Sequence, residues 1–334
     1  MIHQLNISIK NGKEACSKKT LNWFSKDSLT VEGQSMKIAY LILAHNTPNH
    51  LQRLIKSLST ESCEIFIHLD KKAKKKEFSG IQDKNVHFTE NRLSVFWGDF
   101  SQVEAILVLL KTAFVNKVKF DRFVLISGSD YPIRSAVRIE QYFKDNKEKE
   151  FINLVRMPSD EFGKPISRLT TYRLRPSDGT AINLFKKCLM QIGLLPRNRN
   201  YKKYFGDLVP YGGSSWWALT RESVDYIHQF IHENPHIVDF FKNTKCPDEA
   251  FFQTILGNSH FKQMITGNLT YTDWSSGGSS PVNISEKHLG IFKSTLSIPT
   301  DDAFGYREIL FARKFTDDSA RLVSVLDNQI NEMN

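Results

Sequence analysis

The sequence lacks the short motifs by which many proteins hold phosphate groups or metal ions. Its 334 residues contain neither G-x-G-x-x-G nor G-x-x-x-x-G-K-[ST], so the chain has no glycine-rich phosphate loop. No D-x-D pair occurs either. The four cysteines form no C-x-x-C pair, which argues against a disulfide scaffold and against a zinc site. They are Cys16, Cys63, Cys188 and Cys246.

Long apolar runs and targeting segments are missing as well. The longest apolar run near the start, IAYLILA at 38–44, is too short for a membrane span, which needs about 20 residues. The first residues lack the apolar core of a signal peptide. We therefore expect a cytoplasmic protein with reduced thiols. Residues 1–35 are polar and without a clear period, so we expect an N-terminal extension followed by a single domain at 36–334.

Positive charge is in excess. Lys and Arg number 45 against 36 Asp and Glu, giving a net charge of +9. Such a balance favours an anionic partner, either nucleic acid, a membrane surface or a phosphorylated small molecule. The densest basic run, KKAKKK at 71–76, is interpreted as a solvated loop. Because aromatic residues are not interleaved with basic ones, nucleic acid is not expected, whereas peripheral contact with an anionic membrane remains an expectation.

Short apolar runs alternate with helical patterns in the first half of the chain. Strands are predicted at 38–44, 63–70, 86–90 and 121–132. This alternation predicts an α/β fold with a twisted, mostly parallel sheet flanked by helices. Ligands of such sheets bind beyond the carboxyl ends of the strands, where His45, Asp70 and Asp130 lie.

Seven fragments follow one another in a specific order. They are IAYLILAHN, IFIHLDKK, VFWGDFSQVEA, LISGSDYPI, GGSSWWALTRE, CPDEAFFQTIL and ILFARKF. Together they resemble the core-2/I-branching glycosyltransferase family (glycosyltransferase family 14), over residues 37–317 or so. That family contains β-1,6-N-acetylglucosaminyltransferases and peptide O-xylosyltransferases. Because the chain lacks the membrane anchor and the many disulfides of animal members, it resembles a bacterial member.

The resemblance implies a GT-A type fold and an inverting transfer from a UDP-sugar to a hydroxyl of a glycan or glycolipid acceptor. The sugar expected first is N-acetylglucosamine and the next is xylose, in the synthesis of a surface polysaccharide. The family holds the donor diphosphate on basic side chains, which agrees with the missing D-x-D pair. We therefore expect no metal and no other cofactor.

The resemblance also assigns candidate site residues. The glutamate of the P-D-E stretch, Glu249, is the candidate general base. Lys314 is the candidate diphosphate ligand, with Arg313 or Arg307 as a second one. The remaining nucleotide-binding candidates are His45, Asp70 and Trp97. The candidates for contact with the donor or acceptor sugar are Asp130, Trp216, Trp217, Glu161, Arg168 and Tyr172.

Simpler interpretations of these residues remain open. Carboxylates that follow a proline commonly cap a helix, so Asp248 and Glu249 could be caps. Helical spacing places both on or beside the apolar face of the residues that follow, and a charge there is costly unless it is paired or faces a cleft. Asp70 could begin a turn, His45 could be a satisfied strand-end residue and Lys314 an ordinary surface lysine.

Alternation along a strand would bury one of Trp216 and Trp217 and expose the other. An exposed tryptophan at a sugar site stacks on the apolar face of a pyranose. The alternative at the level of the whole protein is a non-catalytic glycan-binding protein with the same fold.

Overall fold

The computed structural model describes residues 36–278, 280–294, 297–298 and 302–333. The predicted extension at 1–35 lies outside the described residues. Twelve strands occur in the described part of the chain: β1 Ile38–Ala44, β2 Cys63–Leu69, β3 Val86–Phe88, β4 Arg122–Ser127, β5 Asp130–Pro132, β6 Glu150–Ile152, β7 Val155–Arg156, β8 Tyr211–Gly212, β9 Trp217–Thr220, β10 Ile265–Thr266, β11 Thr270–Thr272 and β12 Phe311–Arg313.

Eleven α-helices connect and flank these strands within the same described ranges. They are α1 Pro48–Leu58, α2 Ser101–Phe114, α3 Ala136–Asp145, α4 Ser167–Thr170, α5 Gly179–Gln191, α6 Lys202–Phe205, α7 Arg221–Glu233, α8 Pro235–Lys242, α9 Phe251–Gly257, α10 Glu286–Ser294 and α11 Ala320–Met333. No helix among the described residues is long and apolar enough to cross a membrane.

A seven-stranded sheet in the order β10-β6-β9-β4-β1-β2-β3 forms the centre. All neighbours pair in parallel except β9, which runs antiparallel to both β4 and β6. A three-stranded sheet, β11-β12-β5, and the antiparallel pair β7-β8 complete the strand pairing. The predicted α/β class, with a mostly parallel sheet flanked by helices, is confirmed.

Apolar side chains cover both faces of the large sheet. Along β1, Ile38, Tyr40 and Ile42 pack into one core, together with α1, α3 and α11. Ala39 and Leu41 point into the other core, with α2, α7 and α9. A strand buried on both faces is a continuous apolar run rather than an alternating one, which explains the pattern IAYLILA.

Two predicted elements differ from the structure. The predicted strand at 121–132 is two strands, because β4 ends at Ser127 and β5 belongs to the three-stranded sheet. The helix expected through CPDEAFFQTIL begins only at Phe251. Residues Pro247–Glu249 form a separate 3-10 turn. This turn follows Cys246, which has the left-handed backbone angles φ 50° and ψ 56°.

A glycine in α9 provides a test of this packing. A Cβ atom at Gly257 would lie 2.4 Å from the ring of Tyr211. Tyr211 is buried, so Gly257→Ala should destabilise the protein by about 1–3 kcal/mol through overpacking. Gly290→Ala is the control, because a Cβ there meets nothing within 4 Å and alanine favours the α10 helix. Denaturant unfolding should show Gly257→Ala less stable than Gly290→Ala, and the reverse order would contradict the contact.

Candidate active site

Glu249 is paired with two cations. The Lys164 ammonium and the Arg168 guanidinium each lie 2.7 Å from its Oε2 atom. The second carboxylate oxygen, Oε1, accepts no hydrogen bond from any side chain or amide that the structure describes. Burial raises the pKa of Glu249, but the charges of Lys164 and Arg168 outweigh burial and lower the pKa below its usual value. The carboxylate is therefore ionised at neutral pH with one oxygen available.

Asp248 lies in a different environment although it is the next residue in the chain. Its side chain is buried, and its Oδ2 accepts hydrogen bonds from Gln102 Nε2 at 2.9 Å and from Ser215 Oγ at 2.5 Å. Burial, with the negative charge of Glu249, raises the pKa of Asp248 to about 6. Neither carboxylate caps α9, and both lie instead in the short 3-10 turn that precedes it.

The loop before β9 contacts both carboxylate residues. The Gly213 amide donates to the Glu249 carbonyl at 2.8 Å, and Lys164 Nζ donates to the Gly213 carbonyl at 2.7 Å. A Cβ at Gly213 would lie 2.0 Å from the Asn153 carbonyl oxygen, so this close approach requires glycine. Ser215, in the same loop, bonds Asp248.

The two tryptophans differ as alternation predicts. Trp217 is only 2% exposed and packs against Phe252, so its assignment to sugar contact is wrong. Trp216 is half-buried, and the Arg313 guanidinium lies 4.3 Å from its ring centroid. This cation–π contact connects the loop that contacts Glu249 to strand β12.

Arg313 and Asp130 face each other across the small sheet. They are register partners in β12 and β5, and Arg313 Nε lies 3.4 Å from Asp130 Oδ1. The Ser127 amide donates to Asp130 Oδ2 at 2.9 Å. Burial raises the pKa of Asp130 to about 6, against the charge of Arg313. Asp130 is fully buried, so its structural role is to hold Arg313 rather than to contact a sugar directly.

Lys314 is half-buried and next to this pair. Its ammonium donates to Ser280 Oγ in the Gly/Ser-rich loop after β11. Desolvation and the charge of Arg313 lower the pKa of Lys314, whereas the charge of Asp130 raises it. Lys314 is therefore part of a charged cluster and not an isolated surface lysine.

His45 follows the carboxyl end of β1, and the charges of the same cluster shift the pKa of its imidazole. Desolvation lowers the pKa of its imidazole; the charge of Asp70 opposes this, and the charges of Lys314, Lys72 and Arg313 add to it. The charges of both candidate diphosphate ligands, Lys314 and Arg313, thus act on His45. Its side chain is exposed at the edge of the sheet.

Asp70 is buried and organises the turn after β2. Its Oδ1 accepts from the Lys72 amide at 2.8 Å and its Oδ2 from the Val95 amide at 3.3 Å. Its own amide donates to the Ala44 carbonyl at 2.8 Å, which joins the ends of β1 and β2. The interpretation of Asp70 as a turn residue is therefore correct, and the charge of the carboxylate still reaches His45.

Trp97 is 67% exposed. The next residue, Gly98, has φ +65°, and its carbonyl accepts a hydrogen bond from the Cys246 amide at 3.1 Å. This bond places the turn that carries Trp97 against the turn that carries Glu249.

The predicted acceptor residues separate into two groups. Glu161 is exposed in the tight turn between Ser159 and Lys164, and its side chain pairs with nothing in the described parts of the chain. A cavity of about 390 Å³ lies beside Arg168. Its lining consists of Ser167, Arg168, Thr171, Tyr172, Arg173 and Lys245. Arg168 and Tyr172 thus lie together, on the Glu249 side of the site.

Arg307 is excluded as a diphosphate ligand. Its guanidinium bonds the Asp302 carboxylate at 2.5 and 2.8 Å and the Asn268 carbonyl at 2.6 Å. These bonds join the chain after β10 to the segment before β12. Arg313 is the second basic residue beside Lys314.

One metal-binding sequence, H-E-x-x-H, spans His232 to His236. Zinc peptidases need both histidines on one face of a continuous helix. Here α7 ends at Glu233 and α8 begins at Pro235, so the two histidines share no helical face. No group of three or more His, Cys, Asp or Glu that could hold a metal ion occurs among the described residues.

Sequence reasoning missed Lys164, Gln102, Ser215 and Ser280. Lys164 pairs with a residue 85 positions away, and no local pattern reveals such a contact. One indication was available for Lys164, since it lies between two candidate sugar-contact residues, Glu161 and Arg168.

The raised pKa of Asp248 predicts a pH-dependent stability. The folded protein binds the Asp248 proton more tightly than the unfolded chain, whose aspartate pKa is near 3.8. The ionised carboxylate therefore costs stability, and this cost develops as the pH rises from about 4 through about 6. The unfolding free energy of the wild type minus that of Asp248→Asn should fall by about 2 kcal/mol between these limits.

Denaturant unfolding at several pH values measures this difference. Asp160→Asn, a change of an exposed aspartate, is the matched control. A difference that rises with pH for Asp248→Asn would show that Gln102 and Ser215 stabilise the ionised form instead.

Comparison with known proteins identifies related chains. Xylosyltransferase 2 of Canis lupus familiaris is 27% identical over 255 residues, which cover 73% of this chain and 27% of that protein. Xylosyltransferase 1 of Rattus norvegicus is 25% identical over 272 residues, covering 78% of this chain and 31% of that protein. The chain thus aligns with about a quarter to a third of the length of these relatives.

Among solved structures, mouse xyloside xylosyltransferase 1 in its apo form is 11% identical, with 82% of this chain and 97% of that chain covered. The TM-score of this pair is 0.32. The sequence profile of the Core-2/I-Branching enzyme family matches residues 38–293, which contain the sheet, Glu249 and the loop before β9. The chain belongs to the core-2/I-branching enzyme family of glycosyltransferases.

Proposed function

We propose that this protein is an inverting glycosyltransferase that moves a sugar from a UDP-sugar to a hydroxyl group of a glycan acceptor. The observation that carries the proposal is the state of Glu249. Two cations hold one of its oxygens and keep the carboxylate ionised, while the other oxygen accepts no hydrogen bond from the described residues. An ionised carboxylate with a free oxygen can accept the proton of an attacking hydroxyl group.

The proposed transfer uses the carboxylate of Glu249 and the positive charges of Arg313 and Lys314. The acceptor hydroxyl gives its proton to Glu249, and its oxygen forms a bond to the anomeric carbon of the donor. The bond from that carbon to the diphosphate breaks on the opposite face, which inverts the configuration. Negative charge develops on the leaving UDP, and Arg313 and Lys314 are the cations that would stabilise it.

Metal independence is part of the proposal. Arg313 and Lys314 supply two adjacent positive charges, and Asp130 fixes the direction of Arg313. Arginine suits this role because its guanidinium binds the oxygens of a phosphate in a bidentate manner. The chain can thus neutralise a diphosphate with its own side chains.

The proposal extends to the donor sugar and to the pathway. The names of the relatives favour xylose, and the family also contains N-acetylglucosaminyltransferases, so UDP-xylose and UDP-N-acetylglucosamine are the donors to test. His45 and Trp97 would contact the nucleotide. The acceptor would occupy the cavity beside Arg168 and Tyr172, as part of a surface polysaccharide assembled on the cytoplasmic side.

Removing the base should separate chemistry from binding. Glu249→Gln should lower the rate of transfer, or of donor hydrolysis, by about 10²–10⁴-fold, because the amide cannot accept the proton. Its affinity for UDP should stay within about twofold of wild type. Glu222→Gln, at an exposed position in the first turn of α7, is the control. Turnover of Glu249→Gln at the wild-type rate would overturn the assignment, and a wild type that binds glycan without turning over any UDP-sugar would support the non-catalytic alternative.

Removing the lysine should weaken nucleotide binding. Lys314→Ala should bind UDP about tenfold or more weakly in titration calorimetry, because a charge-assisted contact to the diphosphate is lost. Lys111→Ala, an exposed change on α2, is the control. The wild-type affinity and activity should be equal in EDTA and in Mn²⁺. An unchanged affinity of Lys314→Ala, or a strict Mn²⁺ requirement, would contradict the proposed diphosphate site.

A further inference from the structure

Helix α5 exposes apolar side chains to solvent. None of the residues Gly179–Gln191 is buried. Leu184 is 62% exposed, Phe185 64% and, in the turn that follows, Leu194 72%. A contiguous exposed apolar surface of this kind marks an interaction site in a soluble protein.

The orientation of α5 is the reverse of that in an ordinary surface helix. Ala181, Phe185, Cys188 and Ile192 follow the i, i+4, i+7, i+11 spacing of one helical face, and all four are exposed, as is the neighbouring Leu184. In a globular protein this face normally packs against the core, with polar residues outward. Here the apolar face is the one in contact with water.

Polar side chains attach α5 to the chain that precedes it. Asn183 Nδ2 donates to the Arg175 carbonyl at 2.7 Å, and Lys186 Nζ lies 2.5 Å from Asp178 Oδ2. Arg175 in turn bonds Glu104 of α2 at 3.1 Å. These contacts use the polar side of the helix, so they hold its apolar side outward.

Positive charge predominates in the segment that carries the apolar face. The segment 179–206 contains basic residues and no acidic residue; the basic residues are Lys186, Lys187, Arg197, Arg199, Lys202 and Lys203. Lys187, Arg197, Lys202 and Lys203 are exposed. At 100° per residue, Lys186 and Lys187 lie on the side of α5 away from the apolar face, where Lys186 is paired with Asp178 and Lys187 is exposed. An apolar face combined with lysines on the polar face is typical of helices that lie in the interface of an anionic bilayer.

We propose that α5 and the turn through Leu195 dock this protein onto the surface of an anionic lipid membrane. The apolar side chains enter the boundary between headgroups and acyl chains, and the exposed basic residues, Lys187, Arg197, Lys202 and Lys203, contact the acidic headgroups. A second copy of the chain fits less well, because a two-fold contact through α5 would bring two sets of exposed basic residues together, Lys187 and Arg197 among them, and the segment 179–206 supplies no acidic residue to pair these.

Vesicle flotation with the full chain tests this docking surface. Wild type should float with phosphatidylcholine vesicles that contain about 30% phosphatidylglycerol, and should bind pure phosphatidylcholine much more weakly. Phe185→Ser should reduce partitioning onto the anionic vesicles by about tenfold, because a large apolar side chain no longer enters the bilayer. Lys187→Glu combined with Arg197→Glu should reduce it by a similar factor, and more at low than at high salt.

Matched controls change exposed residues elsewhere. Val137→Ser removes an exposed apolar side chain from α3, and Lys75→Glu combined with Lys76→Glu reverses charge in the basic run at 71–76. Both should float like wild type. The proposal is overturned if wild type does not bind anionic vesicles, if Phe185→Ser binds equally, or if the run at 71–76 carries the binding. Light scattering that shows a wild-type dimer, converted to monomer by Phe185→Ser, would assign the face to a second copy instead.

Discussion

The paired ion contacts of Glu249 are the constraint around which the site is built. A carboxylate in a half-buried position loses much of its hydration, and two cations at 2.7 Å offset that loss. Because both use Oε2, the pairing sets the direction of the side chain. Lys164 also binds the Gly213 carbonyl, whose amide holds the Glu249 backbone. Three segments that are distant in the sequence thus converge at one carboxyl group.

Adjacent carboxylates with opposite pKa shifts are a consequence of this arrangement. Glu249 is ionised because two positive charges oppose its burial, while Asp248, buried with two neutral donors, has a pKa of about 6. Environments that shift the pKa values of two neighbouring carboxyl groups in opposite directions distinguish a proton acceptor from a structural carboxyl group. Asp248 connects α2 to the loop before β9, and so it supports the position of Glu249 without sharing its role.

Local rules predicted the parts of the fold that depend on periodicity. The strands predicted from apolar runs at 38–44 and 63–70 correspond to β1 and β2. The PDE turn differs because Cys246 adopts left-handed angles that a sequence pattern does not reveal. Candidate residues that are adjacent in the sequence, such as Arg313 and Lys314, could be predicted together. Their contact partners could not be predicted. Trp216 contacts Arg313, Ser280 contacts Lys314 and Lys164 contacts Glu249 only because the tertiary fold brings distant segments together.

Helix α5 shows why the same periodicity can indicate opposite environments. An apolar stripe predicts a face that avoids water, yet it does not say whether protein or lipid covers that face. The contacts decide, since the polar side of α5 is already used by Arg175 and Asp178 and the apolar side has no partner among the described residues. The segment that ends in α5 begins with Lys164 and Arg168, so one stretch of chain both orients Glu249 and carries the exposed face. Only the ten residues 169–178 separate Arg168 from the start of α5, so under both proposals a membrane bound at α5 would be connected by a short stretch of chain to the side of the site proposed for the acceptor.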